Sequence, residues 1–315
     1  MTVARGYKAA TVVDFESKYN TTPAVKAGFK LPINKNELEN KQTLIDSETI
    51  TGTRNTVQSS LGRKSVDGNI TIPADYKAIG VWLKALFGAP TTSGSAVPYT
   101  HKFKISDNQP SFLVEKAFPD TGKYIVYSGC KINTAQFAFG EDNEMVVELA
   151  IMGAARTIAS AAYNAAATEI KKLPISQNHT YVKIGGTESK IVKSGDFTLD
   201  GGLDGDQYVV GGGGVRGDIP EGLFKATGNI TALFTDTAMM ALADAGTKTS
   251  LEIGFKLDAN TQLAFLFPEV QIEPHDAPIS GPAGVNVSFA WRAFYGVDTG
   301  ASLVQVTLTN DTKSY

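Results

Sequence analysis

The chain is poor in the residues on which covalent and metal chemistry depend. Its 315 residues include one cysteine and three histidines. The single cysteine, Cys130, excludes an intrachain disulfide and a cysteine-based zinc site. No segment approaches the 18 or so uninterrupted apolar residues of a transmembrane helix, and the first 15 residues lack the apolar core of a secretory signal. We therefore expect a protein that folds in a cytoplasm and does not span a membrane.

Charge is also scarce. Charged residues make up 19% of the chain and the net charge is −3, so the clustered cations that bind phosphates are missing. Hydrophobic residues make up 42%, which is enough to bury a core, and glycine is plentiful at 31 residues. Low charge with many small polar residues is typical of β-structure that packs against other subunits. The length suits two domains of ordinary size.

A four-residue sequence, Gly-Asn-Ile-Thr, occurs at Gly68–Thr71 and again at Gly228–Thr231. Each copy precedes an apolar helical segment that ends at a glycine, first Tyr76–Phe87 and then Leu233–Ala245. A four-residue match alone is expected about once by chance in a chain of this length. The shared order of strand, turn, helix and glycine is stronger evidence, because composite patterns of this kind mark internal repeats. We interpret the chain as two copies of one unit.

The first unit begins with a polar hairpin and a helix. Glu48–Val57 and Gly62–Ile72 have the Thr, Val and Ile alternation of strands. In the helix, apolar residues recur at spacings of three and four, Gly88 is suited to the C-cap, and Pro90 prevents continuation. The predicted core residues of this helix are Ile79, Trp82, Leu83, Leu86 and Phe87.

Further strands alternate clearly. In Glu144–Met152 the apolar residues share one face, and Val285–Tyr295 has the same pattern at the corresponding place in the second unit. Tyr124–Val126 and Lys131–Phe139 are predicted as two separate strands. Ala154–Lys172 is rich in alanine and is predicted to be a linker that is partly helical at most.

These patterns predict a mainly-β fold with two tandem β-sandwich or barrel domains, each with one flanking α-helix. The predicted boundaries are an N-terminal arm at 1–45, a first domain at 46–154, a linker at 155–180 and a second domain at 181–315.

No motif for catalysis or cofactor binding is present. The acidic segment Asp196–Asp206 lacks the spacing of a calcium loop, and Gly211–Gly214 lacks the Gly-Lys-Ser/Thr of a phosphate-binding loop. The histidines are far apart, and Cys130 has no histidine near it in sequence. Trp82 and Trp291 lie on apolar faces, which favours core or interface roles over sugar binding. We expect no cofactor, no metal and no enzymatic activity, and a flexible solvated loop at the aspartates.

The arrangement resembles the major tail tube proteins of long-tailed, non-contractile bacteriophages of the siphovirus type. The segments that carry the resemblance are the arm and hairpin SETITGTRNTVQSSLGRKSVDGNITIP, the helix KAIGVWLKALFG and the strand pair CKINTAQFAFGEDNEMVVELAIMGAA. The resemblance implies a structural virion protein, assembled in the host bacterial cytoplasm, whose domains close into rings that stack as a hollow tube. Six domains form a ring in this family, so a duplicated domain implies a trimer with pseudo-sixfold symmetry.

The resemblance also implies partners and surfaces. The partners are other copies of the chain, a tape-measure protein and double-stranded DNA in the lumen, and terminator and baseplate proteins at the tube ends. The polar face of Val285–Tyr295 would line the lumen through Asn286, Ser288 and Arg292. The hairpin would contact the next ring, with candidate residues Thr53, Arg54, Gln58, Arg63 and Lys64. The alternative hypothesis is a baseplate or receptor-binding β-sandwich module whose aromatic residues bind glycans.

Overall fold

The chain is mainly β-structure, as the sequence predicts. The computed structural model describes residues 3–279, 281–296 and 302–315, and within them the chain forms twenty strands, two α-helices and two short 3-10 helices, Gly6–Lys8 and Gln177–His179. The elements of the first half are β1 (Ala10–Phe15), β2 (Phe29–Leu31), β3 (Lys35–Asn36), β4 (Glu39–Ile45), β5 (Ser60–Pro73), α1 (Ile79–Phe87), β6 (Thr91–Ser93), β7 (Tyr99–Lys104), β8 (Phe112–Phe118), β9 (Lys123–Phe139), β10 (Val146–Gly153), β11 (Ala155–Ala159) and β12 (Thr168–Glu169). Those of the second half are β13 (Thr180–Ile184), β14 (Thr187–Glu188), β15 (Val192–Asp200), β16 (Lys225–Leu233), α2 (Ala238–Asp244), β17 (Thr249–Lys256), β18 (Gln262–Ile272), β19 (Asn286–Ala293) and β20 (Gln305–Asn310).

Eight of these strands form one continuous antiparallel layer, which we call the joined sheet. Its order is β4–β5–β10–β9–β15–β16–β19–β18. The first four strands and the last four follow the same connectivity, so the layer consists of two equivalent four-stranded sets side by side. The pairing of β9 with β15 joins them. We call residues 10–159 the first unit and residues 180–310 the second unit.

The equivalence of the two units extends to the strand register around the repeated tetrapeptide. Gly68 pairs with Ile151, which pairs with Ile132. In the second unit Gly228 pairs with Trp291, which pairs with Ile272. The two Gly-Asn-Ile-Thr segments therefore occupy the same register in their sheets. This supports the interpretation of the chain as a duplicated unit.

The repeated tetrapeptide has a steric and a polar basis. A Cβ atom on Gly68 would overlap the backbone carbonyl of Glu37, and one on Gly228 would overlap the equivalent carbonyl of Asp196. Gly68 also has a φ of 153°, which side chains rarely tolerate. The isoleucine of each copy is buried, whereas the asparagine and threonine point to the opposite face because neighbouring residues alternate in a strand.

The remaining strands build a second layer that repeats in the same way. The first part of β9 pairs with β8 and β11, and the first part of β18 pairs with β17 and β20. Likewise β1 pairs with β2 and β8, as β13 pairs with β14 and β17. Phe265 on β18 packs on Phe137 and Phe197 of the joined sheet, with ring centroids 4.8 and 5.0 Å apart. The two long strands thus connect the layers around a shared core.

The two helices differ in how deeply they are buried. Asp75 accepts hydrogen bonds from the backbone N–H groups of Lys77 and Ile79 at the start of α1, and Gly88, with a φ of 98°, ends it. Eight of the nine residues of α1 are buried, whereas in α2 only Ala243 is. The second helix lies at the surface of its unit.

Three segments differ from the sequence interpretation. Glu48–Val57 is exposed and forms no strand, because β5 takes β4 as its hairpin partner. Ala154–Lys172 contains β11 and β12 and no helix, since β11 pairs with β9 and β12 pairs with β2. The two strands predicted within 124–139 are one, β9.

The segment 1–45, predicted as an arm, contributes strands to the first unit. β1 pairs with β8 over six residues, and Val13 on β1 is fully buried. Leu38, between β3 and β4, is also buried. Pairing with β8 and β5 thus gives this segment the partner surface that its own sequence does not suggest.

We predict that Gly228→Ala lowers the free energy of unfolding by about 1–3 kcal/mol, because the added methyl group overlaps the carbonyl of Asp196 and forces the strands apart. Chemical denaturation followed by tryptophan fluorescence measures the change. Gly6→Ala is the matched control, since a Cβ atom there meets nothing within 4 Å. Equal stability of the two variants would refute the steric explanation.

Candidate functional site: the polar face, the clamped loop and the open edges

One face of the joined sheet is buried in the core and the other carries short polar side chains. We call the latter the polar face. Its side chains are half-buried or exposed and run across both units without interruption. They include Asn69, Thr71, Gln136, Glu148, Asp196, Thr198, Asn229, Thr231, Asn286, Ser288 and Arg292.

Hydrogen bonds between strands hold the polar face. Asn69 donates to the Glu148 carboxylate, and Asn229 donates to that of Asp196 at 3.3 Å. Both asparagines therefore bond to a carboxylate on a neighbouring strand, although Asn69 reaches β10 and Asn229 reaches β15, which are not equivalent strands.

Charged side chains of both signs share this face. Strand register also places on it Lys35, Glu37, Glu39, Lys41, Asp200 and Lys225. Lys35 pairs with Glu37 and Lys41 with Glu39. The cations are therefore interspersed with carboxylates and form no purely basic cluster that would hold phosphates.

The residues predicted to line a lumen all lie on the polar face. Ser288 and Arg292 are exposed and Asn286 is half-buried. The Arg292 guanidinium pairs with the Glu273 carboxylate at 2.7 Å, and both side chains are largely exposed. This pairing reduces the positive charge that Arg292 presents.

The predicted core residues of α1 are all buried, at 5% exposure or less. They are Ile79, Trp82, Leu83, Leu86 and Phe87. The Trp82 ring meets Phe112 of β8 edge to face, with centroids 6.2 Å apart. This helix therefore packs its apolar side chains into the core and offers few for a partner.

The predicted hairpin residues fall into two groups. Thr53, Arg54 and Gln58 are exposed on residues 46–59, which connect β4 to β5 and which we call the hairpin connection. Arg63 lies over the ring of Tyr208, 4.7 Å from its centroid, and the N–H of Lys64 donates to the carbonyl of Gly214. The base of the hairpin is thus in contact with a segment of the second unit.

That segment is the Gly-rich stretch 201–224 between β15 and β16, which we call the clamped loop. It crosses the first unit and is held there by Arg216, which is 8% exposed. The Arg216 guanidinium donates to Asp67 at 2.8 Å and to the carbonyls of Val66, Gly153 and Gly205. A charge buried with this many acceptors fixes the loop firmly.

A second anchor is Lys131 of β9, which donates to the carbonyl of Ile219 and to the carboxylate of Glu221 at 2.7 Å. The N–H of Gln109 donates to the same carboxylate at 2.8 Å. Partial burial opposes the charge on Glu221, but the hydrogen bonds from Lys131 and Gln109 outweigh it and hold the pKa of this carboxyl below its usual value.

The sequence predicts a flexible, solvated loop at Asp196–Asp206. The structure differs, because Asp196 and Asp200 lie on β15 and the residues that follow are anchored. Arg216 among glycines is the sequence feature that indicates an anchor.

The joined sheet has two open edges within the described residues. At one end β3 and β4 pair only with β5. At the other end β18 stops at Ile272, so β19 from Asn286 to Phe289 pairs only with β16. The last bond on that side runs from the N–H of Glu273 to the carbonyl of Ala290. Unpaired strand edges invite pairing with another chain.

The described residues include no group of three or more His, Cys, Asp or Glu side chains placed to hold a metal ion. Asp200 and Asp204 accept hydrogen bonds from the backbone N–H groups two residues ahead, which makes them turn-forming residues. Cys130 is fully buried, and burial raises the pKa of its thiol well above the usual value. These contacts give each of these side chains a structural role.

We predict that Glu221→Gln destabilises the protein at pH 7 and less so in acid. A carboxyl whose pKa is lowered by folding stabilises the protein above its unfolded value of 4.5 and loses that contribution as pH falls through the folded pKa. Urea denaturation of both proteins between pH 7 and pH 3 should show the difference shrinking below about pH 4.5. Glu48→Gln, in the exposed hairpin connection, controls for loss of one charge. A difference independent of pH would contradict the ion-pair anchor.

Comparison with known proteins agrees with this geometry. None of the helices in the described part of the chain is long and apolar enough to cross a membrane. A search of curated proteins found no match. A family model described as phage tail tube protein matches residues 6–293, which is most of both units. The chain therefore belongs to the phage tail tube protein family, whose members are structural components of the virion.

Proposed function

We propose that three chains close into a ring with pseudo-sixfold symmetry, and that such rings stack into the hollow tail tube through which double-stranded DNA leaves the virion. The observation that carries this proposal is the joined sheet. It contains two equivalent four-stranded sets, and it ends in two open edges. Three copies of eight strands supply 24 strands, and closing them into a cylinder leaves no edge exposed.

The junction between the two units supplies the template for the junction between chains. Within a chain, residues 134–139 of β9 pair with residues 195–200 of β15. Counting along the chain from the equivalent residues Ile132 and Ile272, the first segment corresponds to 274–279. Counting from the partners of Gly228 and Gly68, the second corresponds to 36–41. We propose that 274–279 of one copy pairs with 36–41 of the next. Ala277 would then face Leu38, as Phe137 faces Phe197 within the chain.

Differences between the units favour a threefold ring over a true sixfold one. The first unit carries β6 and β7 between α1 and β8, whereas only four residues separate α2 from β17. β7 pairs with β20 of the second unit over six residues. The outer layer thus alternates between two kinds of unit, and each chain contributes one of each.

In such a ring the polar face lines the channel. Its asparagines donate to carboxylates, and its charges are of mixed sign with several cations paired to carboxylates, so a phosphate backbone meets no purely basic cluster that would retain it. We propose that this surface surrounds the tape-measure protein before infection and lets DNA pass without sequence-specific binding. Terminator and baseplate proteins would cover the two tube ends, and assembly would take place in the host cytoplasm.

We predict that purified protein forms particles of three chains, about 100 kDa from three chains of 33.5 kDa, and hollow striated filaments at higher concentration. Native mass spectrometry gives the ring mass, and electron microscopy shows the filaments. A six-chain ring would overturn the stoichiometry. Closed particles at every concentration that bind saccharide would instead support the glycan-binding alternative.

We also predict that Ala277→Asp strongly reduces ring formation while the monomer stays folded. The new carboxylate would face Leu38 in a closed apolar junction, and an unpaired charge there is strongly unfavourable. Size-exclusion chromatography should show the ring fraction falling at least about tenfold, for a cost above ~1.4 kcal/mol. Ala277→Val keeps the position apolar and should leave rings intact. Rings of normal yield in Ala277→Asp would place the junction elsewhere.

A further inference from the structure

We infer that the hairpin connection of one copy packs in a cleft on the second unit of the neighbouring copy in the same ring. This inference rests on the proposed ring. It assigns an occupant to a surface of the second unit whose counterpart on the first unit is already covered. The occupant is a segment of a second copy of this chain.

The counterpart on the first unit is the surface on which the clamped loop lies. That loop leaves β15 and crosses β9 at Lys131, β10 at Gly153 and β5 at Asp67, where Arg216 and Glu221 hold it. The loop also contacts the base of the hairpin, where Arg63 lies over the ring of Tyr208. The loop thus connects each unit to the one before it in the joined sheet.

Within the described residues, no loop covers the equivalent surface of the second unit. The residues of the second unit that correspond to Lys131 and Gly153 are Gln271 and Ala293. An open cleft of about 540 Å³ lies at this place. It is lined by residues 271–274, at and after the end of β18, and by residues 292–294, at and after the end of β19. The structure therefore has two equivalent surfaces, one covered by its own chain and one uncovered.

The segment equivalent to the clamped loop is the hairpin connection. The clamped loop joins β15 to β16, and the hairpin connection joins β4 to β5, which hold the same places in their units. The correspondence continues past the ends of β15 and β16. A Cβ atom on Gly222 would meet Gly202, as one on the equivalent Gly62 would meet Thr43. If 36–41 pairs with 274–279 of a neighbour, the hairpin connection emerges beside the open cleft.

The surfaces also match in chemistry. Ile50 of the hairpin connection is 96% exposed, and Leu44 and Leu61 at its base are 67% and 68% exposed. Exposed aliphatic side chains grouped on one hairpin mark a surface that is covered on assembly. The cleft offers Pro274 and Phe294. Beyond it, at the place equivalent to Arg63, lies Leu223, which is 84% exposed.

Charge does not oppose this arrangement. The hairpin connection carries Asp46, Glu48 and Arg54, and the cleft carries Glu273 paired with Arg292, so both surfaces have charges of both signs. The resemblance implied that the hairpin contacts the next ring. The internal equivalence favours a contact within a ring, since the clamped loop lies on the unit beside its own.

The test uses a photoreactive benzoylphenylalanine at Ile50 in the full chain, mixed with isotope-labelled chain so that intermolecular products are identified by mass. Rings are isolated below the concentration at which filaments appear. We expect a cross-link between residue 50 of one copy and a peptide containing 271–274 or 292–294 of another. The same probe at Val25, which is 83% exposed between β1 and β2, should give no product with the cleft.

A cleft-blocking variant sharpens the test. Gln271→Trp fills the cleft at an exposed position and should lower the yield of the cross-link at least about fivefold. Lys256→Trp, at an exposed position on β17 outside the cleft, should leave it unchanged. Circular dichroism of both variants confirms the fold.

The outcomes separate this inference from the proposed ring. Rings whose residue 50 cross-links elsewhere, or only after filaments form, would overturn the inference, leave the ring standing and return the hairpin to contacts between rings. Absence of rings at any concentration would overturn both.

Discussion

The pairing of β9 with β15 is the interaction on which the rest of the architecture depends. It turns two four-stranded sets into one sheet and brings Phe137 and Phe197 into a parallel stack, with ring centroids 4.7 Å apart. Phe265 from the second layer covers both rings. Because the register of a strand pair decides which side chains face the core, this pairing also fixes the polar face and the direction of the open edges.

The same pairing explains why the clamped loop has a defined position. A loop of this length and glycine content has little intrinsic preference for one conformation. It is held because β15 begins the loop next to β9, within reach of Lys131, Asn133 and Asp67. The buried guanidinium of Arg216 has acceptors on strands of the first unit, so its full set of partners exists only when both units are in place. The loop thus couples the two units chemically as well as through the sheet.

The sequence predicted the parts of the structure that depend on local periodicity. The stripe of α1, the alternation of β10 and β19, and the duplicated tetrapeptide are patterns within single segments, and the tetrapeptide even marks the shared register of β5 and β16. Other features depend on partners far along the chain. The strand at 39–45 forms because β5 is beside it, and Arg216 is buried by residues about 150 positions away. No local pattern contains that information.

Both units lie on one chain, and the segment between β11 and β13 keeps them covalently connected. In a ring of three chains, half of the unit-to-unit junctions form during folding, and only three bodies lose translational and rotational freedom where six separate units would. The second unit is always present at the first at a high effective concentration. Duplication therefore also frees the two units to diverge. In the proposed ring, an outer surface that alternates between them would present three identical attachment places around the tube, and not six.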